Sequence, residues 1–292
     1  MFSAKQKLIS TAIGCFLIHF VYGIYEAGAS LTPYVTQYLD VPLEQGVYIY
    51  YVHCAGMAIG VVVGVKLFEP LFTSIGDHWR GFAGGLIVIN SLFTAYFVLE
   101  GGSFLAFLIC YCLPLGFGVG LGLTAPMLVL RSWMPKSGSL AVGLVNSGIG
   151  CGAAVFSPVA KVFLHVTAPQ TIEDDSQLYS AENRHCIPLM FLCLAASAVV
   201  LQIISYFMIY PSPTAEDLKE LLADAHEKEY NSYGSCDSPE ADLEKEQPSL
   251  SFKESLKTKT IYALMAYTLF YACVNLYVCA STKIVSSAYT LS

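Results

Sequence analysis

Three ionisable side chains stand inside long apolar runs of this 292-residue chain: His19 and Glu26 in the first run, and His53 in the second. Such groups are costly in a low-dielectric surrounding and persist where they hold protons, bind ions or pair with one another. Seven residues separate His19 from Glu26, so both fall on one face of a helix, with Gly23 between them. At a rise of about 1.5 Å per residue from Leu8, His19 sits ~16 Å into the run and Glu26 ~27 Å. That places His19 near the middle of a membrane and Glu26 near its far boundary. A substrate or proton-coupling role for these residues competes with plainer ones. His19 also reads as a neutral histidine bonded to a neighbouring helix, Glu26 as a wetted interfacial carboxylate, and His53 as a packed core residue. Asn146 is a further candidate substrate contact, and Asn146 and Gln202 also suit interhelical hydrogen bonds. The chain carries no nucleophile motif, phosphate-binding loop or metal-ligand spacing, so it reads as a non-enzyme without cofactor or metal.

The elements that must position these groups follow from composition. Apolar residues make up 55% of the chain and charged residues 13%, against roughly a quarter charged in soluble domains. Mean hydropathy is +0.58. Seven windows are long enough to cross a bilayer core of ~30 Å: 8–33, 47–68, 82–100, 103–130, 138–164, 187–210 and 260–281. The lipid bilayer is therefore the expected partner, and no nucleic-acid partner is expected. Most of the ten cysteines lie within these windows without CxxC spacing, as small hydrophobes do.

Cations set the expected orientation. Lys5 and Lys7 precede the first window, Lys66 and Arg80 flank the 2–3 loop, Arg131 and Lys136 occupy the 4–5 loop, and six lysines lie between windows six and seven. The other side has only Lys161, Arg184 and Lys283. That asymmetry puts the N-terminus in the cytoplasm of an integral, multi-pass protein, in a plasma or internal membrane. Three regions result: a six-helix bundle over 1–210, an acidic cytoplasmic linker over 211–259, and a seventh transmembrane helix with its tail over 260–292. Within the linker, Thr214 reads as an N-cap followed by Glu216 and Asp217 in the first turn, and Leu218, Leu221, Leu222 and Ala225 form an apolar stripe. One short amphipathic helix is expected there, followed by a polar segment that reads as disordered.

Glycine is concentrated where helices four and five should lie. Gly116, Gly118, Gly120 and Gly122 recur between Pro114 and Pro126; Gly143, Gly148, Gly150 and Gly152 lead to Pro158. In lipid, helices associate through close backbone approach, which glycine permits, and proline supplies bends. The two consecutive helices are expected to cross tightly and to form a hairpin that rocks.

The stretch "RSWMPKSGSLAVGLVNSGIGCGAAVFSPV" resembles the motif joining helices four and five in the oxalate/formate antiporter-like and monocarboxylate transporter-like branches of the major facilitator superfamily. Arg131, Trp133, Pro135, Ala141, Gly143, Gly148, Gly150 and Gly152 match it. "YGIYEAGASLTPYVTQYL" is similar to the first-helix exit of the oxalate/formate-like group, with Gly23, Tyr25, Gly28, Pro33, Tyr34 and Tyr38 in register. The 2–3 loop keeps Gly64, Gly76 and Arg80 of that superfamily's signature and lacks its aspartate. The resemblance implies an all-α polytopic fold: an N-terminal six-helix half of 3+3 inverted repeats plus a seventh helix. It also implies alternating-access transport of a small organic anion, with Gly76, Arg80 and Arg131 as cytoplasmic latches and a second transporter half as partner. That half, which holds the basic substrate-binding residues in the oxalate/formate-like group, has no counterpart in this sequence. The rival reading is a non-transporting truncated product or a membrane interaction subunit.

Overall fold

The computed structural model describes residues 2–66, 78–167 and 184–232, and every regular element among them is helical. Six elements match the first six hydropathy windows: α1 (Ala4–Tyr38), α2 (Val47–Lys66), α3 (His78–Glu100), α4 (Phe104–Trp133), α5 (Gly138–Thr167) and α6 (Cys186–Met208). A seventh, α7 (Ala215–Ser232), is the amphipathic helix expected after them. The seventh transmembrane window and Gly76 lie outside the described residues. All of α1 to α6 are long and apolar enough to cross a membrane. Their outward surfaces carry bare apolar side chains, Leu86, Phe97, Leu105, Leu140 and Phe207 among them. Water would not tolerate that belt; lipid does. The chain is an integral, multi-pass membrane protein.

Helix α1 starts four residues ahead of its hydropathy window because Ser3 and Gln6 close a capping box. The Ser3 hydroxyl accepts from the Gln6 N–H at 3.3 Å, and the Gln6 side chain accepts from the Ser3 N–H at 3.1 Å. The helix then runs for 35 residues through Pro33.

Two helix pairs make the closest backbone approaches. In the α1–α5 pair, Gly148 and Gly152 lie on the carbonyl oxygens of Phe16 and Phe20, and Gly23 lies on the α5 backbone at Ile149, Gly152 and Ala153. In the α2–α4 pair, Gly56 and Gly60 face the carbonyls of Leu113 and Phe117, while Gly116 and Gly120 face those of His53 and Met57. Any Cβ at these positions would strike backbone, which has little freedom to retreat. Gly118 and Gly84 make a third such contact between α4 and α3. This corrects the expected tight crossing of α4 with α5. Their glycines mate with other helices, and the two meet mainly over Thr124–Trp133, next to their connecting turn. The physical reason is that glycine periodicity marks a face for close approach without naming the partner, and a short connection constrains only one end. At Gly143 and Gly150 an added Cβ would meet nothing within 4 Å among the described residues, so these two serve no helix contact there.

Opposite ends of α1 are tied to later parts of the chain. At its start, Lys7 Nζ bonds Asp217 of α7 at 2.8 Å, and the Ala4 N–H donates to Glu220 at 3.3 Å. Asp217 also completes a capping box with Thr214, whose hydroxyl and N–H both donate to it at 2.8 and 3.1 Å. Next to this contact, Trp133 Nε1 donates to the Pro211 carbonyl at 3.1 Å. Leu218, Leu221 and Leu222 of the apolar stripe face Leu8, Trp133 and Met134 across a cleft of about 180 Å³. At the far end, Arg184 donates to the Tyr38 carbonyl and to Asp40 at 3.1 Å, with its guanidinium 4.9 Å from the Tyr38 ring centre.

Replacing Gly120 or Gly148 with leucine is expected to lower stability by about 1–3 kcal/mol or to prevent folding, whereas Gly143→Leu leaves it unchanged. Thermal unfolding in detergent checks this. Equal losses at all three positions would remove the special role of the paired faces.

The α7 contact is expected to depend on acid. Lys7 first, and then Thr214, hold the Asp217 carboxyl down to about 2, below the ordinary carboxylate range. A depressed folded-state value adds stability above the unfolded value of about 4 and loses it as pH falls through the folded one. In a Trp79→Phe background, Trp133 emission should therefore hold steady from neutrality to about pH 4 and shift red toward about pH 2. Asp217→Asn should show the shifted emission already at neutral pH.

Candidate functional site

Polar groups inside the bundle gather along α1 at two levels. At the lower level, His19 is fully buried, and its Nε2 lies 3.0 Å from the Leu123 carbonyl of α4. A carbonyl only accepts, so the Nε2–H donates. That carbonyl lies at the break between the segments Leu113–Gly122 and Thr124–Trp133 of α4, just ahead of Pro126. Three residues on, the Tyr22 hydroxyl donates to the Gly81 carbonyl of α3 at 2.8 Å and abuts Gly122 of α4. Gly122 thus makes room for a tyrosine tip. Gly148 of α5 presses on the Cβ of His19. The lower level is a locked, three-helix polar contact. The Nδ1 of His19 has no hydrogen-bond partner among the described residues.

The upper level centres on His53 of α2, which is 3% exposed. Its ring lies 5.4 Å from that of Tyr25 on α1 and 5.6 Å from that of Tyr111 on α4. The Tyr25 hydroxyl is hydrogen-bonded to the Cys54 thiol at 3.3 Å. Tyr111 is presented by a π-turn, Leu108–Cys112, just ahead of Pro114. Such single wide turns recur at functional positions. The Nε2 of His53 has no partner among the described residues. Two small cavities border it. One of about 20 Å³ is lined by Tyr25, Glu26, Thr32, Ile49, Tyr50 and His53. The other, of about 10 Å³, is lined by Gly28, Phe107, Tyr111 and Phe191 among others.

The sequence-derived candidates therefore separate. Glu26 and His53 border one cavity, whereas His19 lies about 10 Å along α1 from Glu26 in different company. His19 and Glu26 share a face by arithmetic, yet His19 is buried and Glu26 is exposed, with the α5 crossing at Gly23 between them. Asn146 is exposed on α5, as is Pro158. Arg131 is exposed at the end of α4 with its side chain over Gly138. Arg80 lies in the first turn of α3. Gln202 of α6 is buried against Gly85 of α3, and neither of its amide atoms has a hydrogen-bond partner among the described residues, unlike the interhelical bond expected of it. No group of three metal-ligating side chains occurs among the described residues. Sequence reasoning gave no site role to Tyr22, Cys54 or Tyr111, and it took Tyr25 only as part of the first-helix motif. The available signal was the pair of tyrosines flanking Gly23 at three-residue spacing between His19 and Glu26.

Comparison with known proteins adds one likeness. A 114-residue stretch is 31% identical to apicoplast pyruvate carrier 1 of Toxoplasma gondii. The match covers 38% of this chain and 19% of that carrier, so the chain spans about a fifth of the length of the relative it matches. No family model matches the chain, and no solved structure matches it.

Proposed function

We propose that this chain supplies the first six-helix unit of a secondary transporter for small monocarboxylates, working by alternating access, and is a carrier rather than an enzyme. The observation that carries the reading is the pattern of helix pairing. Exchanging the first three helices with the next three turns the α1–α5 pair into α4–α2, and α3–α4 into α6–α1; all four pairs are extensive. That pattern supports the 3+3 inverted repeat of the major facilitator fold, in which the substrate site lies near the midplane between two such units. The likeness to a pyruvate carrier supports a monocarboxylate as substrate. Oxalate and formate belong to the same chemical class and follow from the 4–5 motif.

In this reading the N-terminus, the Arg131 turn and α7 are cytoplasmic. His19, Glu26, His53 and Asn146 remain the candidate substrate or proton-coupling groups. Gly76, Arg80 and Arg131 are the proposed cytoplasmic latches, in or beside the connections between α2 and α3 and between α4 and α5. Gly118, Gly122, Gly148 and Gly152 join the helices within the unit and let it move as one body. Motion is expected between six-helix units, because the glycine contacts bind α4 and α5 to the rest of their own unit.

One unit cannot enclose a pathway on both sides, so a second completes it. The 292-residue chain alone in liposomes should show no saturable uptake of pyruvate, lactate, oxalate or formate, with or without a proton gradient. Joined to a matching second unit, it should transport at least one of them. Saturable uptake by the chain alone would overturn the division of labour, and failure of every joined form would count against the transporter reading.

A further inference from the structure

We propose that Glu26 and His53 form a proton-transfer pair, in which Glu26 collects a proton from the exposed surface and delivers it through one water in their shared cavity to Nε2 of His53. Four observations converge on this. Nε2 of a nearly fully buried imidazole has no hydrogen-bond partner among the described residues. A buried polar atom left that way costs about 1–3 kcal/mol, a penalty that a hydrogen-bonded water relieves. The cavity of about 20 Å³ that His53 helps to line has room for one water molecule. The same cavity is lined by Glu26, the exposed carboxylate of α1. The rings of Tyr25 and Tyr111, at 5.4 and 5.6 Å, lie within the ~6 Å over which an aromatic ring favours a cation.

The transfer balances. The Glu26 carboxylic O–H gives its proton to the water, the water gives one of its own to the Nε2 lone pair, and the water is left unchanged. The products are a Glu26 carboxylate and a His53 imidazolium. Before transfer the neutral ring carries its proton on Nδ1, which leaves Nε2 as acceptor. The titratable groups around the ring are Tyr25 and Glu26 from α1, Tyr111 from α4, and Tyr50 and Cys54 on α2 itself; α6 contributes Phe191. Neither cavity is lined by Lys or Arg. A protonated His53 would thus provide positive charge inside the unit, where a monocarboxylate needs a counter-ion. This purpose rests on the transporter reading; the transfer itself does not.

The test follows His53 by nitrogen NMR in the purified chain, labelled at histidine and held in lipid nanodiscs without substrate. After a jump from about pH 8 to about pH 3, the His53 signal should move toward the protonated form, and Glu26→Gln should slow that change about tenfold or more. Glu26→Asp should keep most of the rate. His185→Gln, at an exposed histidine outside the site, should delete its own signal and leave the His53 kinetics unchanged. Ile49→Phe, which fills the cavity without replacing either partner, should slow transfer as Glu26→Gln does, and it stands in should that variant fail to fold. An unchanged rate in Glu26→Gln or Ile49→Phe, or a His53 that stays neutral throughout, overturns the proposal. Because no substrate is present, a negative liposome result and a negative NMR result condemn different statements.

Discussion

Everything in this bundle depends on backbone meeting backbone in lipid. Hydrocarbon tails are as apolar as leucine, so helices there gain little by burying leucine against leucine. They hold together where the main chains come close enough for extended dispersion contact. The α1–α5 and α2–α4 pairs meet that condition at Gly23, Gly148 and Gly152, and at Gly56, Gly60, Gly116 and Gly120. Once those faces are joined, α1 is bounded by α5, α6 and the lower part of α4, and its remaining faces are assigned.

That assignment decides which polar groups are quenched and which stay available. His19 and Tyr22 face carbonyls exposed near the interruption of α4 or at the start of α3, and they spend their donors on them. His53 faces two tyrosine rings, which satisfy its shape but offer its Nε2 no hydrogen bond. Two histidines of equal chemistry therefore have different standing: His19 is tied through Nε2 to the Leu123 carbonyl, while Nε2 of His53 has no partner among the described residues and its ring lies among two tyrosine rings. The difference comes from the neighbouring helix, not from the residue.

Much of the architecture was legible because hydropathy is a local property. Each of the first six windows became a helix, and the amphipathic stripe from Leu218 to Leu222 became one face of α7. What could not be read was partnership. Glycine spacing announced close contacts in α4 and α5 but misdirected them toward each other. The tie between Lys7 and Asp217 spans 210 residues, and no periodicity links two charges so far apart. At the candidate site, His19, Glu26 and His53 were legible as anomalies in apolar runs. That Glu26 shares a cavity with His53 rather than with His19 depends on how α2 packs beside α1. Tyr111 was hidden because its approach to His53 comes from a π-turn, which has no sequence signature beyond the nearby Pro114.

Helix α1, at 35 residues, is about 52 Å long, well beyond the ~30 Å of a hydrocarbon core. It is clasped near both tips, by Asp217 at one and by Arg184 at the other. Such a rod behaves as a lever pivoting on its glycine crossing. A tilt of about 10° would sweep each tip by roughly 4–5 Å, given about 26 Å of arm on either side. Such a tilt would carry a displacement from one side of the membrane to the other without any change in helix length.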